Sequence, residues 1–266
     1  MMKDMDTAEL IRTRKSVRTF DGRRITDEHR KLLSEYLKTI DEPFGIGVEF
    51  ILLDARENGL SSPVILGEDM YLLAKAKKTG HTEEAFGIAF EKAVLYAWSL
   101  GLGTTWIGGT MKREIFERAA KLGENEIMPC ITPLGYPAKK RSLKEIAMRA
   151  GVGADRRKPP EELFFENSFS TPLKEEDPRI NAALEAVRLA PSAVNKQPWR
   201  ILRCGRDHHF YEYRSLGGSG AKWDIQRVDM GIALHHFMLM TGGSLKVEDP
   251  RISENGGCVY IATVTV

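Results

Sequence analysis

Cysteine is scarce in this chain. Cys130, Cys204 and Cys258 lie far apart, are odd in number and have no metal-ligand spacing. That argues against a disulfide framework and a zinc centre, and suits thiols kept reduced in a cytoplasmic protein. Long hydrophobic runs are also missing. The most apolar window, Phe86 to Trp106, is interrupted by Glu91, Lys92 and several glycines, so it falls short of the roughly 20 apolar residues a membrane span needs. The start of the chain, MMKDMDTAELIRTRKSVR, is charged throughout and lacks the apolar centre of a secretory signal. Nor is there an excess of one charge. The formal net charge is +2 in 266 residues, which gives no strong field toward nucleic acid. A cytoplasmic protein with neither a membrane nor a nucleic-acid partner is expected.

What the chain does contain is an internal echo. A shift of 150 positions lays TDEHRKLLSEYLKTIDEPFGIGVEFILLDAR on KEEDPRINAALEAVRLAPSAVNKQPWRILRCGR, with Ile51-Leu52 on Ile201-Leu202 and Arg56 on Arg206. Each copy opens with acidic residues, which favour a helix N-terminus. Each continues at helical spacing: Leu33, Leu37 and Ile40 in one, Ala183, Val187 and Ala190 in the other. A Pro-containing loop and a short apolar strand follow. Downstream, AFGIAFEKAVLYAWSLG matches DMGIALHHFMLMTGGSL at a shift of 144, with Gly87 on Gly231. Both read as helices buried on most of their surface. The expected division is a first half, 1–154, a Pro- and charge-rich linker, 155–178, and a shorter second half, 179–266.

Four segments carry candidate chemistry. In Arg14-Lys15-Ser16-Val17-Arg18, closely placed cations suit a phosphate, because the guanidinium fork matches its oxygens; a solvated basic face is the plainer reading. The glycines of Gly101-Leu-Gly-Thr-Thr-Trp-Ile-Gly-Gly109 let backbone approach a flat ligand, or simply end a helix before a strand. The strand-first order of a dinucleotide fingerprint is absent. Leu134-Gly-Tyr-Pro-Ala-Lys-Lys-Arg141 places three cations after a turn, either toward the same anion or as a polar tail. Pro191-Ser-Ala-Val-Asn-Lys-Gln-Pro-Trp199 offers Ser192, Asn195 and Gln197 as donors and acceptors for the edge of a heterocycle, or is a connector stiffened by two prolines. His235 is either a core histidine or a site residue.

Taken together, RKSVR, GLGTTWIGG, LGYP with basic residues, GIAF and GIAL, and above all PSxxNxQPW resemble the FMN-dependent nitroreductase family. The order resembles that family's double-length branch, in which two degenerate copies are fused. The resemblance implies an α+β fold with a three-layer α/β/α architecture, built as a tandem pseudo-dimer with mainly antiparallel sheets. It implies FMN as cofactor, NADH or NADPH as electron donor, and a small-molecule acceptor such as a nitroaromatic or quinone, reduced by two electrons in a ping-pong cycle. The alternative is a non-catalytic FMN carrier or sensor.

Carried over by motif position, Arg14, Lys15, Ser16 and Arg18 would meet the phosphate, ribityl chain and pyrimidine edge, and Lys139 and Arg141 would add phosphate contacts. Trp106, Ile107, Gly108 and Gly109 would line the flavin. Pro191, Ser192, Ala193 and Asn195 would reach in from the other half. No residue is assigned as nucleophile or metal ligand. Asp41, Glu42, Gly45 and Gly47 stand opposite Pro191, Ser192, Asn195 and Gln197, and Phe164 to Ser168 stand opposite RKSVR. Each half has therefore lost what the other keeps. One complete pocket, one dead pocket, and a monomer or weak homodimer are expected.

Overall fold

The computed structural model describes residues 6–216, 222–252 and 256–266. In the first part of the chain the elements are α1 (Thr7–Thr13), α2 (Asp27–Leu37), β1 (Glu49–Asp54), β2 (Met70–Lys77), α3 (Thr82–Ser99), α4 (Arg113–Ala119), β3 (Glu126–Ile127), β4 (Ile131–Leu134) and α5 (Leu143–Gly151). There follow β5 (Phe164–Glu166), β6 (Ser168–Pro172), α6 (Pro178–Leu189), β7 (Trp199–Cys204), β8 (Asp207–Glu212), α7 (Ile225–Thr241), β9 (Ser244–Lys246) and β10 (Val259–Thr265). The class is α+β, with two sheets that are antiparallel apart from the β5–β7 pair.

The repeat is visible in the elements. β1 and β7 are both six residues long and begin 150 positions apart, at Glu49 and Trp199. In the first sheet β2 pairs with β1, β3 and β4; in the second the order is β6-β5-β7-β8-β10-β9. Alternate residues of a strand point to opposite faces. Accordingly Met70, Leu72 and Ala74 of β2 enter one core with Phe86, Phe90 and Val94 of α3, while Tyr71 and Leu73 enter another with Phe116. The second sheet packs Ile201, Phe210, Ile261 and Val264 against Met230, Ile232 and Phe237 of α7. The helices α3 and α7, apolar nearly all round, thus cross in the middle with a sheet behind each.

The span 155–178, expected as a linker, is folded. Leu163 and Phe164 are buried, β5 runs parallel to β7, and β6 turns back antiparallel after Asn167, whose φ is 56°. Its prolines and charges mask a strand pair whose apolar residues are few but inward-facing. The positions opposite each half's polar motif are also filled: opposite RKSVR, Phe164 is core, and opposite the Pro191–Gln197 loop, Phe44 stacks on His81 at 5.1 Å between ring centroids while packing on the same core. Among the described residues, no helix is long and apolar enough to cross a membrane, and no group of three or more His, Cys, Asp or Glu could hold a metal ion.

Candidate functional site

A cavity of about 610 Å³ opens at the seam between the halves. Its first wall is the segment after α1. Asp6 caps that helix, and from Arg14 the chain leaves it in extended backbone. Ser16 bridges to Thr104, and the Val17 N–H donates to Thr104 O at 2.8 Å. Gly103 permits this approach, since a Cβ there would lie 2.9 Å from Val17 Cβ. Gly101, at φ 76°, follows the Leu100 cap of α3 in the left-handed conformation that ends the helix. Only the later glycines of that motif, Gly108 and Gly109, line the cavity. Arg113 secures them, donating from Nη2 to Gly108 O at 2.5 Å while its guanidinium lies 4.5 Å from the centre of the Trp223 ring.

The opposite wall comes from the second half. Pro191, Ser192, Ala193, Val194 and Asn195 form the rim, and Ile225, Val228, Asp229 and Ile232 of α7 form the floor. Asp229 holds the rim in place: its two carboxyl oxygens accept from the Ala193 N–H at 3.1 and 3.0 Å. Burial pushes this carboxyl well above the usual range, against the pull of the Ala193 N–H; Asp224 and Glu212 add to the upward shift.

The structure brings together Arg14, Lys15, Ser16, Arg18, Trp106, Ile107, Gly108, Gly109, Pro191, Ser192, Ala193 and Asn195 around this one space. It does not bring in Lys139 or Arg141. After β4 the chain bridges Gly135 to Gly103 and Pro137 to Phe20, and the Ala138 N–H donates to Thr19 O. Residues 139–141 consequently run on the exposed side, where Arg141 Nε lies 3.5 Å from Glu145 Oε1.

The cations that do line the cavity beside RKSVR are Arg149 and Arg157, from α5 and the turn after it. Neither falls in a sequence motif. The Ser142-Leu-Lys-Glu145 pattern that starts α5 is the available signal, with Ser142 Oγ accepting from the Glu145 N–H as an N-cap. His235 does not enter the site either. It lines a separate cavity of about 140 Å³, and burial, then His236 and Lys92, hold its imidazole well below the ordinary histidine range.

Three of the cavity's arginines are shifted downward. Burial lowers the Arg14 guanidinium from its ordinary value, Glu91 opposes this, and Arg149 adds to it. Burial likewise lowers Arg18 and Arg157, with Arg149 contributing at Arg18 and Arg14 contributing at Arg157. The Arg14 side chain is only 5% exposed, its nearest carboxylate oxygen is 3.9 Å away on Glu91, and Nε of both Arg14 and Arg157 is buried without a hydrogen-bond partner among the described residues. Buried, converging and underpaired guanidinium groups call for an anion. Behind this wall, Glu91 accepts from Trp106 Nε1 at 3.1 Å and lies 3.1 Å from Nε2 of His236, whose Nδ1 donates to Ala186 O at 2.8 Å.

The chain matches the model of the family described as "Putative TM nitroreductase" over residues 6–241. It is similar to a solved protein of Thermotoga maritima described as a "putative nitroreductase", at 21% identity and a TM-score of 0.66, covering 99% of this chain and 94% of that one. It also resembles a nitroreductase family protein of Clostridium difficile 630 (20% identity, TM-score 0.47, covering 59% of this chain and 96% of that one). A third similar structure is an FMN-dependent nitroreductase of Clostridium difficile R20291 (18% identity, TM-score 0.43, covering 50% and 88%). No curated protein matches.

Proposed function

Because this chain belongs to the "Putative TM nitroreductase" family, we propose that it is an FMN-dependent oxidoreductase that passes two electrons from NADH or NADPH to a small-molecule acceptor such as a nitroaromatic or quinone. The observation that carries this reading is the convergence of twelve motif residues, drawn from both halves, on one cavity in which Nε of Arg14 and of Arg157 is buried without a hydrogen-bond partner among the described residues. FMN, when bound, supplies the redox chemistry. The residues present fit it. Arg14, Arg149 and Arg157 would hold the phosphate, and Arg18 would set a fixed positive charge where negative charge develops on reduction. Gly108 and Gly109 give a flat backbone wall; a Cβ on Gly109 would meet nothing within 4 Å, so its face is open to the cavity.

One chain supplies both sides of the site, so a monomer or weak homodimer would carry one flavin per chain. Donor and acceptor would use the remaining space in turn, bounded by Trp223, Ile225 and Leu216.

The test is spectroscopic. Purified protein should bind FMN at one equivalent per chain, with a flavin absorption band that NADH or NADPH bleaches in the absence of oxygen and a quinone or nitroaromatic restores. A bound flavin that neither nucleotide bleaches would leave a binding protein in place of a reductase. Failure to bind added FMN would overturn the reading altogether.

A further inference from the structure

Asn195 sits on the rim of the cavity in a backbone conformation that side-chain-bearing residues rarely adopt. Its φ is 58°, and those of Val194 and Gln197 are 43° and 51°. Such a run persists only where surrounding contacts enforce it. The contacts here run to the backbone between Arg149 and Arg157. Asn195 Nδ2 donates to Gly153 O at 2.7 Å and to Arg156 O at 2.9 Å, which engages both amide hydrogens. Its Oδ1 accepts from Gln197 Nε2 at 3.3 Å, and Gln197 Oε1 accepts from the Lys158 N–H at 2.9 Å.

The two carbonyls belong to the turn that separates Arg149 from Arg157. That turn is closed by the Ala154 N–H on Arg149 O at 2.9 Å and the Arg156 N–H on Gly153 O at 2.8 Å. Arg157 Nη1 then grips Ala154 O at 2.9 Å and Arg156 O at 2.8 Å. Asn195 and Arg157 therefore share the carbonyl of Arg156, and Arg157 Nε is left without a hydrogen-bond partner among the described residues. We infer that Asn195 is a positioning residue for the phosphate end of the site: it fastens the 153–157 turn of the first half to the Pro191 rim of the second, and so sets Arg157 and Arg149, rather than reading the flavin ring. The inference rests on FMN as the occupant.

The experiment compares FMN with riboflavin, which lacks the phosphate, by quenching of flavin fluorescence on the full-length protein. Asn195→Gly suits the positive φ and removes only the side chain. It should weaken FMN binding by at least about tenfold, as for one misplaced charge-assisted hydrogen bond, while riboflavin binding stays within about twofold. Asn195→Asp, close in shape but unable to donate to the two carbonyls, should show the same selective loss. On an Arg157→Ala background, Asn195→Gly should cost FMN little more, because residues acting through one another are not additive. Equal loss for both flavins, no loss for either, or full additivity with Arg157→Ala would overturn the inference and leave the cofactor assignment standing. A wild-type protein that binds neither flavin would overturn both.

Discussion

Gly87 of α3 and Gly231 of α7 lie back to back where the two central helices cross, and the contact is reciprocal. A Cβ on Gly87 would fall 2.2 Å from Val228 O and 3.0 Å from Gly231 Cα; a Cβ on Gly231 would fall 2.2 Å from Glu84 O and 2.9 Å from Gly87 Cα. Each glycine thus faces the carbonyl three residues before its counterpart, the self-complementary pattern of a two-fold interface, here within one chain. Either Gly87→Ala or Gly231→Ala must push backbone from backbone. Each should destabilise the protein by about 1–3 kcal/mol or more, as for overpacked cores, measured as a lowered denaturant midpoint. The double variant should cost less than the sum, because one separation of the helices relieves both clashes.

The arrangement of cations makes a second prediction. Arg14→Ala removes a buried guanidinium at the proposed phosphate site and should weaken FMN binding by about 1.5–3 kcal/mol, the worth of a hydrogen bond to a charged group. Lys139→Ala and Arg141→Ala, on the exposed side of the chain, should leave FMN affinity unchanged. Titration of FMN into the three variants decides it. Equal losses in all three would mean that residues 139–141 swing into the cavity.

Much of this arrangement is legible in the residues themselves. The 150- and 144-residue shifts hold in β1 with β7 and in Gly87 with Gly231, because duplicated apolar spacing preserves the same helix and strand faces. The rim at Pro191–Asn195 and the segment at Arg14–Arg18 were legible because their residue types are unusual together. What escaped was set by chain direction. Whether Lys139 or Arg149 faces the cavity depends on where the backbone turns after Tyr136, and that is fixed by the Gly135, Pro137 and Ala138 backbone contacts, which no residue spacing announces. β5 escaped because its pairing with β7 is long-range, and β6 pairs only with β5.

Stability should fall as pH rises through the range below neutrality. Glu212, at the end of β8, faces Asp224 and Arg214, whose Nε is 3.3 Å from its Oε2. Burial, then the Asp224 carboxylate, raises the Glu212 carboxyl from 4.5 to about 7, against the pull of Arg214. A group whose folded value is raised binds its proton more tightly folded than unfolded. Its stabilisation is complete below 4.5 and is lost as pH climbs toward about 7. Glu212→Gln should flatten the pH dependence of the thermal midpoint over that window. Asp229 acts in the same direction. An unchanged slope in Glu212→Gln would show that the Glu212 carboxyl does not titrate there.

The last prediction concerns Glu91, which is fully buried in α3 and joins the cavity wall to the second half. It accepts from Trp106 Nε1, faces His236 Nε2 and lies 3.9 Å from Arg14 Nε. Glu91→Ala leaves Trp106 Nε1 without an acceptor and Arg14 without its nearest carboxylate. Removing one partner of a buried ion pair typically costs about 3–5 kcal/mol, so this variant should unfold at markedly lower denaturant. Glu91→Gln keeps an amide oxygen for Trp106 Nε1 and should cost less. It also removes the negative charge that competes for Arg14. If Arg14 serves an anionic ligand, Glu91→Gln should tighten FMN binding while lowering the stability of the flavin-free protein. Opposite signs in those two measurements would identify Glu91 as a counter-charge that holds Arg14 in place until the phosphate arrives. Weaker binding together with lower stability would instead make Glu91 a support for the wall alone.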